Sequence, residues 1–345
     1  MEAAVNRFIQ VNKLSEYFRL LRAVFGLCSV PKITLTAILL FTLLGAQAQA
    51  RTYGVVVAGL GGSPEYDDAF ATTSRNLATG LGTLESDESL VILLDEKATR
   101  DAILDAIDTQ AKRMQADLDN AEGIAGDTAF VLMLTGHGNA DRDGWRFNIT
   151  GPDITSDDLI AALNSVPSVR QLVVLAASAS GAALESMSQL GRVLVTATKS
   201  GGEINAVRFH EFLAEALQSN VADYDRNEIL TIAEAYRFAD ARTREYYEQK
   251  KLLASEHSRL RGDLAGEFAV SLLGSLQDAK DDPLVATLLD ERLELEQAFN
   301  VLRQRKPDMS VEAYYSELET LLLSIAQLQQ SIDEATGWSE NDEES

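Results

Sequence analysis

Two stretches of small residues place reactive side chains where apolar runs stop. In "AFVLMLTGHG" (129–138) a histidine, His137, lies between Gly136 and Gly138. In "LVVLAASASGAALE" (172–185) an apolar run closes on Ser178, followed by Ala179, Ser180 and Gly181. An imidazole within reach of a hydroxyl can take its proton, and the oxygen can then attack a carbonyl carbon. A serine used this way also needs a group that orients the imidazole and donors for the oxyanion. No acid can be assigned to orient His137, because Asp141 and Asp143 read as loop acids. The plainer alternative makes His137 a turn histidine with no chemical role.

A second constellation is "DYDRNEILTIAE" (223–234). Oxygen ligands fall at loop positions 1 (Asp223), 3 (Asp225), 5 (Asn227), 9 (Thr231) and 12 (Glu234), with the Ile229 carbonyl at 7. This spacing resembles an EF-hand calcium loop running into a helix. The departure is Glu228 at position 6, where glycine normally makes the turn and a Cβ adds strain. An acidic helix cap explains the same residues, since Asp and Glu are favoured near helix N-termini. Other candidates carry less. His210 reads as a partly exposed helix position and His257 as part of a turn-like segment, which gives no zinc site. Lys199 and Arg208 can line a pocket for an acidic side chain or be ordinary surface residues. "GLGGSP" (59–64) lacks the lysine and spacing of a phosphate loop.

The elements that must position these residues alternate from Thr52 onward. "TYGVVVAGL" reads as a first strand, and Ser63-Pro64 as the cap and first turn of a helix through about Leu81. "SLVILLD" (89–95) is a second strand, 97–117 a helix, and 129–138 the third strand with its exit loop. "DGWRFNI" (143–149) looks like a hairpin arm, and Thr155 caps a helix through Leu163. The fourth strand ends at Ser178, the fifth is "GRVLVTAT" (191–198), and a helix follows around Arg208–Leu217. Continuous apolar strands alternating with helices predict a mainly parallel sheet covered on both faces. In the order 2-1-3-4-5 the third and fourth strands are neighbours, and both exit loops open on one edge. Parallel strands about 4.8 Å apart would bring His137 and Ser178 within hydrogen-bond reach.

"VLMLTGHG" with "VVVLAASASG" resembles the His-Gly and Cys-loop strands of the caspase-like fold shared by caspases, legumain-type peptidases and gingipains. "VTATKSGGEIN" is similar to the next strand and loop of bacterial legumain-like proteins. The resemblance spans roughly Thr52 to Gly266, and the 41-residue separation of His137 and Ser178 compares with about 50 in caspases. It implies a three-layer α/β sandwich. In such enzymes Asp-Ser-Cys-x-Ser-Gly follows the fourth strand, and the cysteine attacks the peptide carbonyl with the histidine as partner. Here the segment reads Ala176-Ala177-Ser178-Ala179-Ser180-Gly181, so the histidine and the trailing Ser-Gly match and the cysteine does not. A thiol ionises readily beside an imidazole and a serine hydroxyl does not. The resemblance therefore implies a homologue without peptidase activity; the rival is a hydrolase, peptidase or esterase, using Ser178 and His137.

Beyond Asn220 the pattern changes. Val311, Tyr314, Leu318, Leu321, Ile325, Leu328 and Ile332 recur at spacings of 3 and 4, a coiled-coil seam. Leu288, Leu295 and Leu302 repeat every seven, with Leu284 and Ala298 on the same side. An antiparallel helical hairpin joined by "RKPDMS" accounts for both. The expected divisions are 1–50 (export segment and over-long N-terminus), 51–219 (α/β domain), 220–275 (acidic loop, helix and irregular segment), 280–333 (hairpin) and 334–345 (disordered acidic tail).

The formal charge of the 345 residues is −23. It speaks against nucleic acid or anionic lipid as partners and for cations, basic partners or a protein or peptide ligand. "PKITLTAILLFTLLGAQAQA" has a lysine, a short apolar run and a small-residue cleavage site, as in a secretory signal. The run is short for a membrane span. We expect translation to start near Val30, cleavage after Ala48 or Ala50, and an exported periplasmic or secreted product. Cys28, the single cysteine, would be lost with it. Three roles follow: a binding module, a serine hydrolase, or a subunit assembled through the helical seam.

Overall fold

The computed structural model describes residues 51–84, 89–120, 128–168 and 170–337; the expected export segment and the end of the acidic tail lie outside them. In chain order the strands are β1 (Thr52–Ala58), β2 (Leu90–Leu93), β3 (Ala129–Gly136), β4 (Gly138–Asp141), β5 (Gly144–Phe147), β6 (Ile154–Thr155), β7 (Arg170–Ala177), β8 (Arg192–Thr196), β9 (Ile229–Thr231), β10 (Arg259–Arg261) and β11 (Ala269–Leu272). The longer helices are α1 (Pro64–Leu81), α2 (Arg100–Asn120), α3 (Ser156–Asn164), α4 (Phe209–Ala216), α5 (Ile232–Lys250), α6 (Pro283–Arg305) and α7 (Val311–Thr336).

A six-stranded sheet runs in the order β10-β8-β7-β3-β1-β2. Its first five strands in chain order pair in parallel, as expected. Side chains alternate between two cores because successive residues of a strand face opposite ways. Val131, Met133 and Val174 point to one face, with Leu77, Phe209 and Ile232. Leu132, Leu134 and Val173 point to the other, with Ile103, Trp145 and Leu159. Burial on both faces explains the unbroken apolar runs. The fold is thus mixed α/β, a mainly parallel sheet between helical layers with further helices at the C-terminal end, the three-layer sandwich expected.

Local details depart from the sequence reading. Ser63 occupies the cap position of α1, but its side chain makes no capping bond; Pro64 starts the helix. Thr155 does cap α3, in a reciprocal box with Asp158. The segment 254–270, read as irregular, supplies β10, antiparallel to β8, and the start of β11, which pairs with β9. The hairpin forms from α6 and α7, and Arg292 reaches Gln329 while Arg305 faces Glu317 at 3.5 Å, so the helices are antiparallel. Leu302, Tyr314, Leu328 and Ile332 are buried between them; Leu284, Ala298 and Val311, assigned to the seam, are exposed. The helix runs on to Thr336 and ends at Gly337, φ 72°.

His210 is the clearest correction: it is 1% exposed instead of partly open. Its ring lies edge-on to Phe70 at 5.3 Å, and Nδ1 is 3.3 Å from the Thr73 hydroxyl. Burial pushes its pKa down to about 3, helped by Arg208 and His137 and opposed by a backbone bond at Val207. The unfolded chain therefore takes a proton that the folded core refuses, and stability is lost as pH falls below the ordinary histidine value. Denaturant midpoints should show wild type losing about 1.4 kcal/mol per pH unit relative to His210→Asn between about pH 6 and pH 4. Parallel curves for the two proteins would refute this.

Candidate functional site

The site is built by one register pair. Gly136 of β3 lies opposite Ala177 of β7, so His137 and Ser178 are each the next residue along neighbouring strands. Their loops are locked together. The Trp145 indole N–H of β5 donates to the Ser178 carbonyl at 3.1 Å, and a Cβ on Gly138 would sit 2.7 Å from that indole nitrogen and 2.8 Å from that carbonyl. Only glycine allows this approach. The chain then turns through Ala179 at φ 57°, whose N–H donates to the Glu203 carbonyl at 2.8 Å. The matched Ser-Gly has a structural task. Ser180 Oγ and the Gly181 N–H both meet Thr198 Oγ1, at 3.3 and 2.9 Å, and pin this loop to the one after β8.

The two reactive side chains are in unlike states. His137 is half-buried, edge-on to Tyr66 and Phe70 with ring centroids 5.1 and 5.0 Å away. Burial lowers its pKa, against a hydrogen bond to the Gly61 backbone and the charge of Asp67, so the ring is neutral at pH 7. The Gly61 N–H in turn donates to Asp67 Oδ1 at 2.7 Å. Asp67 therefore fixes the residue that the imidazole bonds, and its charge favours the protonated ring. No pattern in the sequence points to Asp67, which lies 70 residues before the histidine. Ser178 is 1% exposed, and among the described residues its hydroxyl has no hydrogen-bond partner, His137 included. The buried hydroxyls of Ser74 and Thr135 also lack partners.

Beside Ala179 lies a cluster that sequence reasoning missed. His257 Nδ1 is 2.5 Å from Glu203 Oε1, and Lys199 Nζ is 3.3 Å from both. Glu203 also accepts from the backbone N–H groups of Lys199 and His257, at 2.9 and 3.2 Å. These bonds outweigh its burial and lower its pKa. The neighbouring Glu256 is buried and caps α4 through the Arg208 and Phe209 N–H groups. No periodicity links residues 54 apart in the chain, so only the folded topology brings them together.

The acidic loop is partly convergent. Carboxylate oxygens of Asp223, Asp225 and Glu234 lie within 4.8 Å of one another. Loss of solvent, with the charges of Glu234 and Asp223, raises the Asp225 pKa to about 6. Glu228 takes φ 60°, the left-handed turn that a glycine would make. Its carboxylate receives the Ser275 and Leu276 N–H groups, at 3.1 and 2.9 Å, which offsets that strain. Asn227 Oδ1 turns back to the Ile229 N–H at 2.7 Å, and Thr231 forms a capping box with Glu234. Three of the six expected ligands thus converge; Asn227 and Thr231 are engaged by the backbone, and Ile229 lies in β9 against Leu272.

No family model and no curated protein matches the chain. Among solved structures it is similar to the Drosophila initiator caspase Dronc, with 9% identity over 67% of this chain and 84% of that one, at a TM-score of 0.38. No residue role passes across at that level, and strand order and register carry the description of the site.

Gly138→Ala should force Trp145 away from the Ser178 carbonyl. We expect a change in near-UV circular dichroism and a loss of about 1–3 kcal/mol, in the range for overpacking a tight site. An unaltered spectrum and midpoint would show that the loops are not latched there.

Proposed function

We propose that this chain is an exported caspase- and legumain-like protein that has lost the peptidase step and works by binding a protein or peptide. The observation that carries this is the state of Ser178. Its hydroxyl is buried without a partner among the described residues, and a buried alkoxide there would have neither solvent nor a donor to stabilise it. The sequence offers no thiol after Cys28 to take its place. Contact surfaces for a partner are the sheet edge around His137 and the apolar side chains Tyr315, Leu322 and Leu323 that α7 exposes, which also suit a helix-mediated oligomer.

The rival reading, a hydrolase acting through Ser178 and His137, has one observation in its favour: the imidazole is neutral and bonded to Gly61, which Asp67 holds. A fluorophosphonate probe separates the two. On the proposed reading, the protein labels no faster than Ser178→Ala. Labelling that disappears in both Ser178→Ala and His137→Ala makes it a serine hydrolase.

Calcium is the cation we propose for the acidic loop, held by Asp223, Asp225 and Glu234. It would supply charge that relieves the mutual repulsion of these carboxylates and order the turn ahead of α5. With the dissociation constants of extracellular calcium modules, 10 mM calcium stabilises by about 1.4–2.7 kcal/mol. The raised Asp225 pKa sets the pH dependence: the carboxylate is ionised at pH 7.5 and largely protonated at pH 5, where the ion meets competition from the proton. Thermal melts should therefore show a calcium shift at pH 7.5 that shrinks at pH 5 and vanishes in Asp225→Asn. No shift at 10 mM calcium at either pH removes the ion from this reading.

A further inference from the structure

On the sheet edge opposite His137, at the start of β8, an arginine is buried without a counter-charge. Arg192 is 3% exposed, and its guanidinium donates to three neutral acceptors. Nε binds Gln171 Oε1 at 2.9 Å, Nη1 the Met187 carbonyl at 2.9 Å, and Nη2 Asn164 Oδ1 at 3.3 Å. Among the described residues no carboxylate pairs with it. A guanidinium has five N–H donors, so two remain after these bonds. Buried charges are ordinarily paired, because withdrawing a lone cation from water is costly.

Gln171 and Asn164, two of the three acceptors, also form the wall of an open cavity of about 470 Å³. The rest of the lining is mixed: Leu163 and Val166 are buried behind it, Leu190 is exposed, and Ser168, Gln189 and Gly191 complete it. That volume is in the range of small-molecule sites. The cation stands directly behind the wall, and the longest of its bonds runs to Asn164, an exposed residue at the end of α3.

We propose that this cavity binds a small organic monocarboxylate, whose oxygens displace Asn164 Oδ1 from the Arg192 guanidinium and whose alkyl part lies against the exposed Leu190. One guanidinium matches one carboxylate, with the planar fork suited to two parallel hydrogen bonds. A phosphate dianion would leave a charge unmatched in a protein that is already strongly negative. Contact with Leu190 removes part of the alkyl surface from water.

The test uses sodium hexanoate as probe, with sodium chloride at equal ionic strength, hexanol and inorganic phosphate as the other arms. Gln189 is exposed and lines the cavity without a part in the proposed contacts, so Gln189→Trp places a fluorescent reporter at the mouth without disturbing the core. Saturable change in its emission with hexanoate, and none with the other three, is the expected result. Asn164→Ala removes the competing acceptor and should tighten hexanoate binding about 2- to 10-fold, the worth of one hydrogen bond. Arg192→Gln in the reporter background should abolish binding. If that variant does not fold, the Asn164→Ala comparison alone decides. An equal response to hexanol, a response to phosphate as strong as to hexanoate, or unchanged or weaker binding in Asn164→Ala each overturns the proposal, and so does no response at all. In the last two cases Arg192 is only a strut tying β8 to β7 and α3.

Discussion

The pairing of β3 with β7 is the constraint on which the site depends. Eight register partners run from Ala129 opposite Arg170 to Gly136 opposite Ala177. Both strands are buried on both faces, so a slip of one residue would turn every apolar side chain into the wrong core. The register is fixed by burial along the whole ladder, and the positions of His137 and Ser178 follow from it. The exit loops then need only short-range locks. Gly138 supplies close approach, Trp145 the bond to the Ser178 carbonyl, and Thr198 the tie to Ser180 and Gly181.

Within that frame the His137 and Ser178 side chains have separate states. The imidazole is neutral, wedged between Tyr66 and Phe70 and tied to Gly61, which Asp67 holds. The Ser178 hydroxyl is buried and makes no hydrogen bond among the described residues. A thiol in the same place would ionise with an imidazole nearby and with little further help, whereas a serine needs the proton taken along a formed hydrogen bond. An oxygen where the resembled enzymes carry sulfur therefore costs more here, on the proposed reading, than it would at a site built around serine. On the proposed reading, His137 persists as part of a packed aromatic cluster that also holds His210 through Phe70.

The acidic loop reconciles two readings that the sequence left as alternatives. Glu234 is at once the reciprocal partner in the cap of α5 and one of three converging carboxylates. Capping uses its contacts with Thr231; the same carboxylate lies beside Asp223 and Asp225, and the charge of Arg292 offsets only part of their repulsion. Glu228 explains how a loop without the usual glycine still makes its turn. Backbone strain at φ 60° is offset by hydrogen bonds that its side chain makes to the helix starting at Gly274. The residue that looked like an obstacle is a fastening between the loop and the start of the C-terminal helices.

What the sequence by itself determined was periodic or local. Apolar runs marked the parallel strands, Thr155 and its acids marked a helix start, and spacings of 3 and 4 marked the seam of the hairpin. These are set by which side of an element must leave water, and that is written residue by residue. It also placed His137 and Ser178 at adjacent strand ends, because parallel topology with right-handed crossovers leaves few other arrangements. Tertiary structure alone decided whether those side chains meet, that His210 lies in the core, that Asp67 holds the Gly61 that His137 bonds, that Glu203 and His257 pair, and that Arg192 is buried beside a cavity. Each depends on the direction of a side chain or on contacts between distant segments, and no pattern along the chain encodes such an encounter.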